Sequence, residues 1–181
     1  MIVRFDHVVL GVSDLEAAVD GFRRAGFDVF DRGGDPGAAM VNRLIRFPDA
    51  SFIELVAFRA PSDHRFHKAL SRGEGWIDHA LSVRGIEALQ ARLRAAGLAV
   101  GDVRKVVQPT AEGREWELRL CLAGLGVSTS ALPFLTEDIT PVEWRLPPLP
   151  AERPQPGGAT GIAGVTVLVA SLSYLLVDLI S

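Results

Sequence analysis

Apolar and polar positions alternate from Ile2 to Val12, with Val3, Phe5, His7 and Val9 on one face and Asp6, Val8 and Leu10 on the other. A two-residue period of this kind predicts a strand. Ser13-Asp14-Leu15-Glu16 follows with a capping-box spacing, and Leu15, Ala18, Val19 and Phe22 form the stripe of an amphipathic helix that Gly26 should close. Further strands are predicted at 27–30, 40–47 and 51–58, separated by the Gly/Pro-rich stretch 32–37 and the turn 48–50. The first 58 residues therefore read β-α-β-β-β.

The pattern then restarts. A polar connection, 59–75, leads to a strand at 77–83, a helix marked by Ile86, Leu89 and Leu93 that ends at Gly97, and strands at 103–107, 115–122 and 132–139. His7 and His79 stand 72 positions apart; Leu15 and Ile86, Phe22 and Leu93, and Gly26 and Gly97 each stand 71 apart. One deletion between strand and helix would reconcile the two offsets. Ser51-Phe52-Ile53-Glu54 aligns with Phe134-Leu135-Thr136-Glu137, 83 positions on, which assigns a longer loop to 123–131. The chain is thus expected to be α+β: a βαβββ module over 1–58, a connector over 59–75 and a second βαβββ module over 76–145. A Pro-rich linker follows over 146–160, and then an apolar segment over 161–181. That last segment aligns loosely with the opening of each module, like a truncated third copy with Gly164 at the histidine position.

Composition narrows the function. With 181 residues, 48% of them hydrophobic and 23% charged, the chain can bury a sizeable core. A net charge of -3 with no Lys/Arg cluster argues against nucleic acid as a partner. The single cysteine, Cys121, excludes an internal disulfide framework and suits a reducing compartment. With strand pattern starting at Ile2 and no leader, the expected location is cytoplasmic. The run from Gly161 to Ile180 is close to the roughly 20 residues of a membrane helix. Its third-copy pattern and its lack of flanking Lys/Arg favour a strand-and-helix cover over a membrane anchor.

The chemistry-bearing set is His7, Glu54, His79 and Glu137. A carboxylate in a strand as apolar as 51–58 is costly unless it is paired or binds a metal. Two imidazoles and two carboxylates from equivalent strands would suit Zn, Ni, Co, Mn or Fe, and would leave positions open for substrate. Taken singly, His7 and His79 read as hydrogen-bonding residues at strand edges. His64 and His67 read as part of a solvated segment, and Cys121 and Trp116 as packing.

The paired modules resemble the vicinal oxygen chelate superfamily, and the local sequence is most similar to its glyoxalase-like domains. The similarity lies in Asp6-His7-Val8-Val9-Leu10-Gly11-Val12-Ser13-Asp14-Leu15, in Ser51-Phe52-Ile53-Glu54-Leu55 and in Pro133-Phe134-Leu135-Thr136-Glu137. The resemblance implies curved sheets around a cleft that takes a small-molecule substrate or ligand, with the modules facing each other within a chain or across a homodimer. It also implies a divalent metal held by His7, Glu54, His79 and Glu137, with Glu54 or Glu137 doubling as the catalytic base. The activity implied is that of a lyase or isomerase acting on a small carbonyl-containing molecule by metal-assisted proton abstraction. Two alternatives come with the same superfamily: a metal-free sequestering protein like the bleomycin-resistance proteins, and an extradiol-type dioxygenase. No glutathione-binding residues are recognisable, so glyoxalase I itself is not implied.

Overall fold

The computed structural model describes residues 1–31, 37–110, 113–124, 132–146, 148–149 and 155–168. The elements are β1 (Ile2–Gly11), α1 (Leu15–Arg24), β2 (Met40–Arg46), β3 (Phe52–Phe58), α2 (Arg65–Leu70), β4 (Gly75–Val83), α3 (Ile86–Ala95), β5 (Arg104–Pro109), β6 (Glu115–Leu122) and β7 (Phe134–Asp138). The seven strands form one curled sheet in the order β2-β3-β1-β4-β7-β6-β5. Within each module the first and last strands pair in parallel, β1 with β3 and β4 with β7. The modules join side by side where β1 pairs antiparallel with β4.

The two helix termini repeat as the sequence predicts. Gly26 and Gly97 both adopt positive φ, 93° and 85°. After each, a backbone N–H reaches back into the helix, from Phe27 to the Phe22 carbonyl and from Leu98 to that of Leu93, both at 3.0 Å. The helix start differs in detail: Asp14, not Ser13, is the N-cap of α1, and its carboxylate accepts from the Ala17 N–H at 3.0 Å.

Three other elements depart from the pattern. The strand expected at 27–30 is reduced to a single bridge between Phe30 and Leu44, because Phe27 turns edge-on to Phe22 of α1 and the Gly/Pro-rich stretch follows directly. The polar connector carries the helix α2, which periodicity could not reveal because Phe66 is its one fully buried residue. His64 caps that helix, its Nδ1 accepting from the Phe66 N–H at 3.2 Å. Residues 162–168, expected to open a third copy, form neither strand nor helix. Residues 155–162 strap the first module: Gln155 Nε2 donates to the Arg46 carbonyl at 2.7 Å, and Ala159 and Ile162 pack on the α1 cluster. Parts of the expected turn at 109–113, loop at 123–131, linker at 146–160 and apolar segment at 161–181 lie outside the described residues. No helix among the described residues is long and apolar enough to cross a membrane.

Strand alternation divides the core into two faces. Leu15 and Val19 of α1 pack with Leu55 and Ala57 of β3 on one side of the sheet, and Ile86, Leu89 and Leu93 of α3 pack with Cys121 and Leu135 on that same side. The opposite, concave side holds Val9, Val56, Ala80 and Phe134, covered by Phe66 of α2. Leu44 and Phe52, covered by Leu146, continue this second layer. Helix α2 therefore lies in the cleft between the curled halves of the sheet.

Candidate functional site on the concave face

His7 and Glu54 meet on the concave face. The parallel register sets His7 beside Phe52 and Val9 beside Glu54, so both side chains emerge on the side opposite α1. The His7 ring stacks on Phe52 at 4.4 Å between centroids and meets the edge of Phe134 at 5.2 Å. Its Nε2 lies 3.6 Å from Glu54 Oε2, beyond hydrogen-bond length. The other Glu54 oxygen, Oε1, accepts from Asn42 Nδ2 at 2.7 Å. Both residues are buried, His7 to 6% exposure and Glu54 to 7%.

Asp6 fixes how His7 is used. A register irregularity in β1 between Phe5 and His7 lets two consecutive side chains find buried partners. Asp6 Oδ2 meets His7 Nδ1 at 2.8 Å, and Asp6 Oδ1 accepts from Arg145 Nη2 at 2.8 Å and pairs with Arg4 Nη2 at 2.7 Å. Burial alone would raise the Asp6 carboxyl, but Arg145, the His7 hydrogen bond and Arg4 together hold it well below the usual carboxylate range. An ionised Asp6 can only accept, so Nδ1 of His7 carries a proton and Nε2 is left facing Glu54. When unprotonated, Nε2 and Oε2 are both acceptors. Their approach is favourable with one proton between them and repulsive with none, which is the arrangement of an acid–base pair.

Arg145 anchors this line from behind. Its Nε donates to Asp138 Oδ1 at 2.5 Å and its Nη2 to Asp138 Oδ2 at 3.0 Å. Burial would lower the guanidinium pKa, yet Asp6 and Asp138 raise it above the ordinary arginine value. On the other flank, Arg65 of α2 forms an ion pair with Asp78 of β4, and its guanidinium lies over the rings of Phe66 (4.4 Å) and Phe134 (4.6 Å).

The other two expected ligands point away. His79 is opposite Val8 in the antiparallel register, and its ring is parallel to that of Phe5 at 6.3 Å. Phe5 is in turn opposite Leu81, which packs on the α3 cluster. His79 therefore lies on the helix side of the sheet, where burial first and the charge of His7 second lower its pKa. Glu137 lies on that side too. Its Oε1 accepts from the Gly85 N–H at 2.6 Å and its Oε2 from the Ile86 N–H at 3.2 Å. Helix α3 has no side-chain cap of its own, so Glu137 supplies one from β7.

The expected set of His7, Glu54, His79 and Glu137 is thus split, two residues to each face, and the expectation that they converge on one ion is corrected accordingly. For His79 the cause is the one-residue discrepancy between the 72- and 71-residue offsets; Glu137 follows Thr136, which shares the concave phase of Phe134, and so takes the other face. A slip of one position in a strand moves a side chain to the opposite face. At the 71-residue offset that matches the helices, His7 corresponds to Asp78, which does face the concave side and Arg65. Among the described residues no group of three or more His, Cys, Asp or Glu side chains is placed to hold a metal. The donors present do not fit the implied divalent ion, and Glu137 is better placed as a cap than as a base. Glu137→Ala is expected to lower stability by about 1 kcal/mol, the usual worth of a helix cap. That is roughly 2–4 °C in melting temperature for a chain of this size, measurable by calorimetry.

Comparison with known proteins gives the fold its family. The family described as "Glyoxalase-like domain" matches residues 5–175. The chain belongs to that glyoxalase-like family. Among solved structures, a hypothetical protein from Staphylococcus aureus superposes with a TM-score of 0.61 at 14% identity; the match covers 78% of this chain but 61% of that one. A variant of Streptomyces coelicolor methylmalonyl-CoA epimerase, bound to 2-nitronate-propionyl-CoA, gives a TM-score of 0.60 at 22% identity, covering 77% of this chain and 96% of that one. Methylmalonyl-CoA epimerase from Mycobacterium tuberculosis gives 0.54 at 19% identity, covering 76% and 87%. No curated protein matches the chain. At these identities the solved structures establish the vicinal oxygen chelate fold, and the site has to be argued from its own residues.

Several of those residues were legible only in part. Asp6 and Asp78 are visible as the companions of the two histidines, and their place beside a histidine is the signal for an orienting carboxylate. Arg145, Arg65 and Asn42 carry no local motif, since each reaches the site from an element whose position follows from tertiary structure alone.

Proposed function

We propose that this glyoxalase-like protein is an enzyme of the isomerase type that removes and returns a proton beside the carbonyl of a small molecule. Glu54 is the base and His7 its proton partner. The observation that carries this reading is the buried line Asp138–Arg145–Asp6–His7–Glu54, which ends in an acid–base pair on the concave face. Glu54 Oε2 takes the proton. Nε2 of His7, held in one tautomer by Asp6, shares it, and the Arg65 guanidinium on the same face offers positive charge to the oxyanion that develops on the substrate. Methylmalonyl-CoA epimerases among the structural neighbours are consistent with a fold that supports such chemistry. No step is assigned to a metal, because the donors do not converge.

The experiment is deuterium exchange in D2O, followed by NMR, on a panel of small ketones, 2-oxo acids and acyl thioesters. Exchange of protons next to the carbonyl, retained after exhaustive chelation, is the expected result. Failure of every member to exchange, or exchange that persists in Glu54→Gln, would overturn the assignment. A second reading, a metal-free binding module, draws on the aromatic lining of the same face by Phe52, Phe58, Phe66 and Phe134. Its mark would be apolar ligands that raise the melting temperature with no exchange at all.

A further inference from the structure

Arg65 is set apart from the other charged residues of the fold. It is the first residue of α2, yet its guanidinium reaches down to the sheet, over Phe66 and Phe134, and pairs with Asp78. Asp78 is closed in, with 3% of its side chain accessible and its Oδ1 already accepting from the His79 N–H at 2.7 Å. The Arg65 side chain is 33% accessible. The pair therefore has a buried carboxylate behind it and a partly open cation in front. A guanidinium offers five N–H donors in a planar fork, more than one carboxylate oxygen uses.

The surroundings of Arg65 belong to the proposed site. Phe134 links the two, since it carries the Arg65 guanidinium and also meets the edge of His7. Burial pulls Arg65 down to about 10, with Glu54 raising it and Arg104 lowering it, so Arg65 stays cationic at neutral pH with a carboxylate and a second guanidinium in its field. Arg104 is on β5 opposite Leu120, whose side chain belongs to the concave cluster, so Arg104 faces the same side. Arg104 therefore adds positive charge to the face on which Arg65 lies.

We propose that Arg65 is the receptor for a carboxylate carried by the substrate, so that the class of molecule handled here is a small carbonyl compound with a carboxylate close to the reacting carbon, such as a 2-oxo acid. The proposal rests on the reading of the concave face as a proton-transfer site and adds the substrate class. Asp78 plays two parts: it orients the guanidinium, and its charge weakens the hold on any second carboxylate. Removing that charge while keeping its shape should therefore tighten binding, which a merely structural ion pair would not do.

The test uses the full chain, titrated by NMR with pyruvate and with its neutral amide, pyruvamide. Pyruvate is expected to bind roughly tenfold or more tightly than pyruvamide, because a charge-assisted hydrogen bond contributes about 1.5–3 kcal/mol. Asp78→Asn should tighten pyruvate several-fold and leave pyruvamide unchanged. Arg65→Met would strand the buried Asp78, so it is made together with Asp78→Asn, and melting temperatures verify that the pair of changes folds. This double variant should bind pyruvate and pyruvamide alike. Equal binding of the two by the wild type, no binding of pyruvate, an Asp78→Asn variant that does not gain affinity, or a preference that survives in the double variant would each overturn the proposal. The two readings fail separately. Proton exchange of pyruvamide without any preference for pyruvate removes Arg65 as carboxylate receptor and leaves Glu54 as base. A pyruvate preference without exchange on any substrate removes the base and leaves a carboxylate-binding site.

Discussion

Arg145→Met is expected to destabilise the protein by about 1.5–3 kcal/mol, the usual worth of a hydrogen bond to a charged group, because Asp6 keeps Arg4 and His7 as partners. The Arg145 side chain is 2% accessible and that of Asp6 is 0%, so water cannot substitute for the lost guanidinium. Asp138 keeps some access to solvent, at 17%, and should lose less. Chemical denaturation monitored by far-UV circular dichroism measures the difference. Asp6→Asn combined with Arg145→Met should cost clearly less than the sum of the single changes, because the double variant leaves no buried charge unpaired. If the effects simply add, the pair is not the source of the stability.

The same pair sets a pH dependence. The folded pKa of Asp6 lies below its unfolded value near 4, so folding favours the ionised form. Its contribution is present above the unfolded value and is lost as pH falls below about 4 toward the folded one. In Arg145→Met, burial is left to act with less opposition and the carboxyl should rise. The part of the stability lost on acidification below about 4 should then be smaller than in the wild type, because the gap between the folded and unfolded values narrows.

Glu54→Gln should lower turnover roughly 10²–10⁴-fold, the range for removing a general base. The amide keeps the size of the side chain and an oxygen for Asn42 Nδ2, so the melting temperature should change little and substrate affinity should hold. A loss confined to affinity would assign Glu54 to binding instead. His7→Asn should also reduce turnover, and the double variant should be little worse than Glu54→Gln alone, since residues that act as one unit are not additive.

The repeat was legible in the sequence because helix stripes and glycine stops recur at one spacing, and both glycines adopt the positive φ their place demands. Half of the candidate site was legible as well. His7 and Glu54 were recognisable as polar residues among apolar neighbours, and they do meet. His79 and Glu137 were placed by the same alignment and went to the other face. Alignment matches residues one by one but cannot register a one-residue change of strand phase, which moves a side chain by the full thickness of the sheet. Arg145 escaped because its partners lie 139 residues away at Asp6 and 7 residues away at Asp138, and a Pro-rich stretch gives no sign of what it folds against. Helix α2 escaped because six residues with one buried phenylalanine have no periodicity to detect.

The antiparallel seam between β1 and β4 has a consequence during synthesis. β1 emerges first, and one of its edges is covered as soon as β3 follows. Its other edge is meant for β4, which begins at Gly75, well after β1 ends at Gly11. At about 5–20 residues per second, the ribosome leaves that edge open for roughly 3–13 s. For that interval the nascent chain presents unpaired backbone along a strand that includes Val8, Val9 and Leu10, open to pairing with the same strand of a neighbouring nascent chain. The opening charges of Arg4 and Asp6 are then its protection, before they become part of the folded interior.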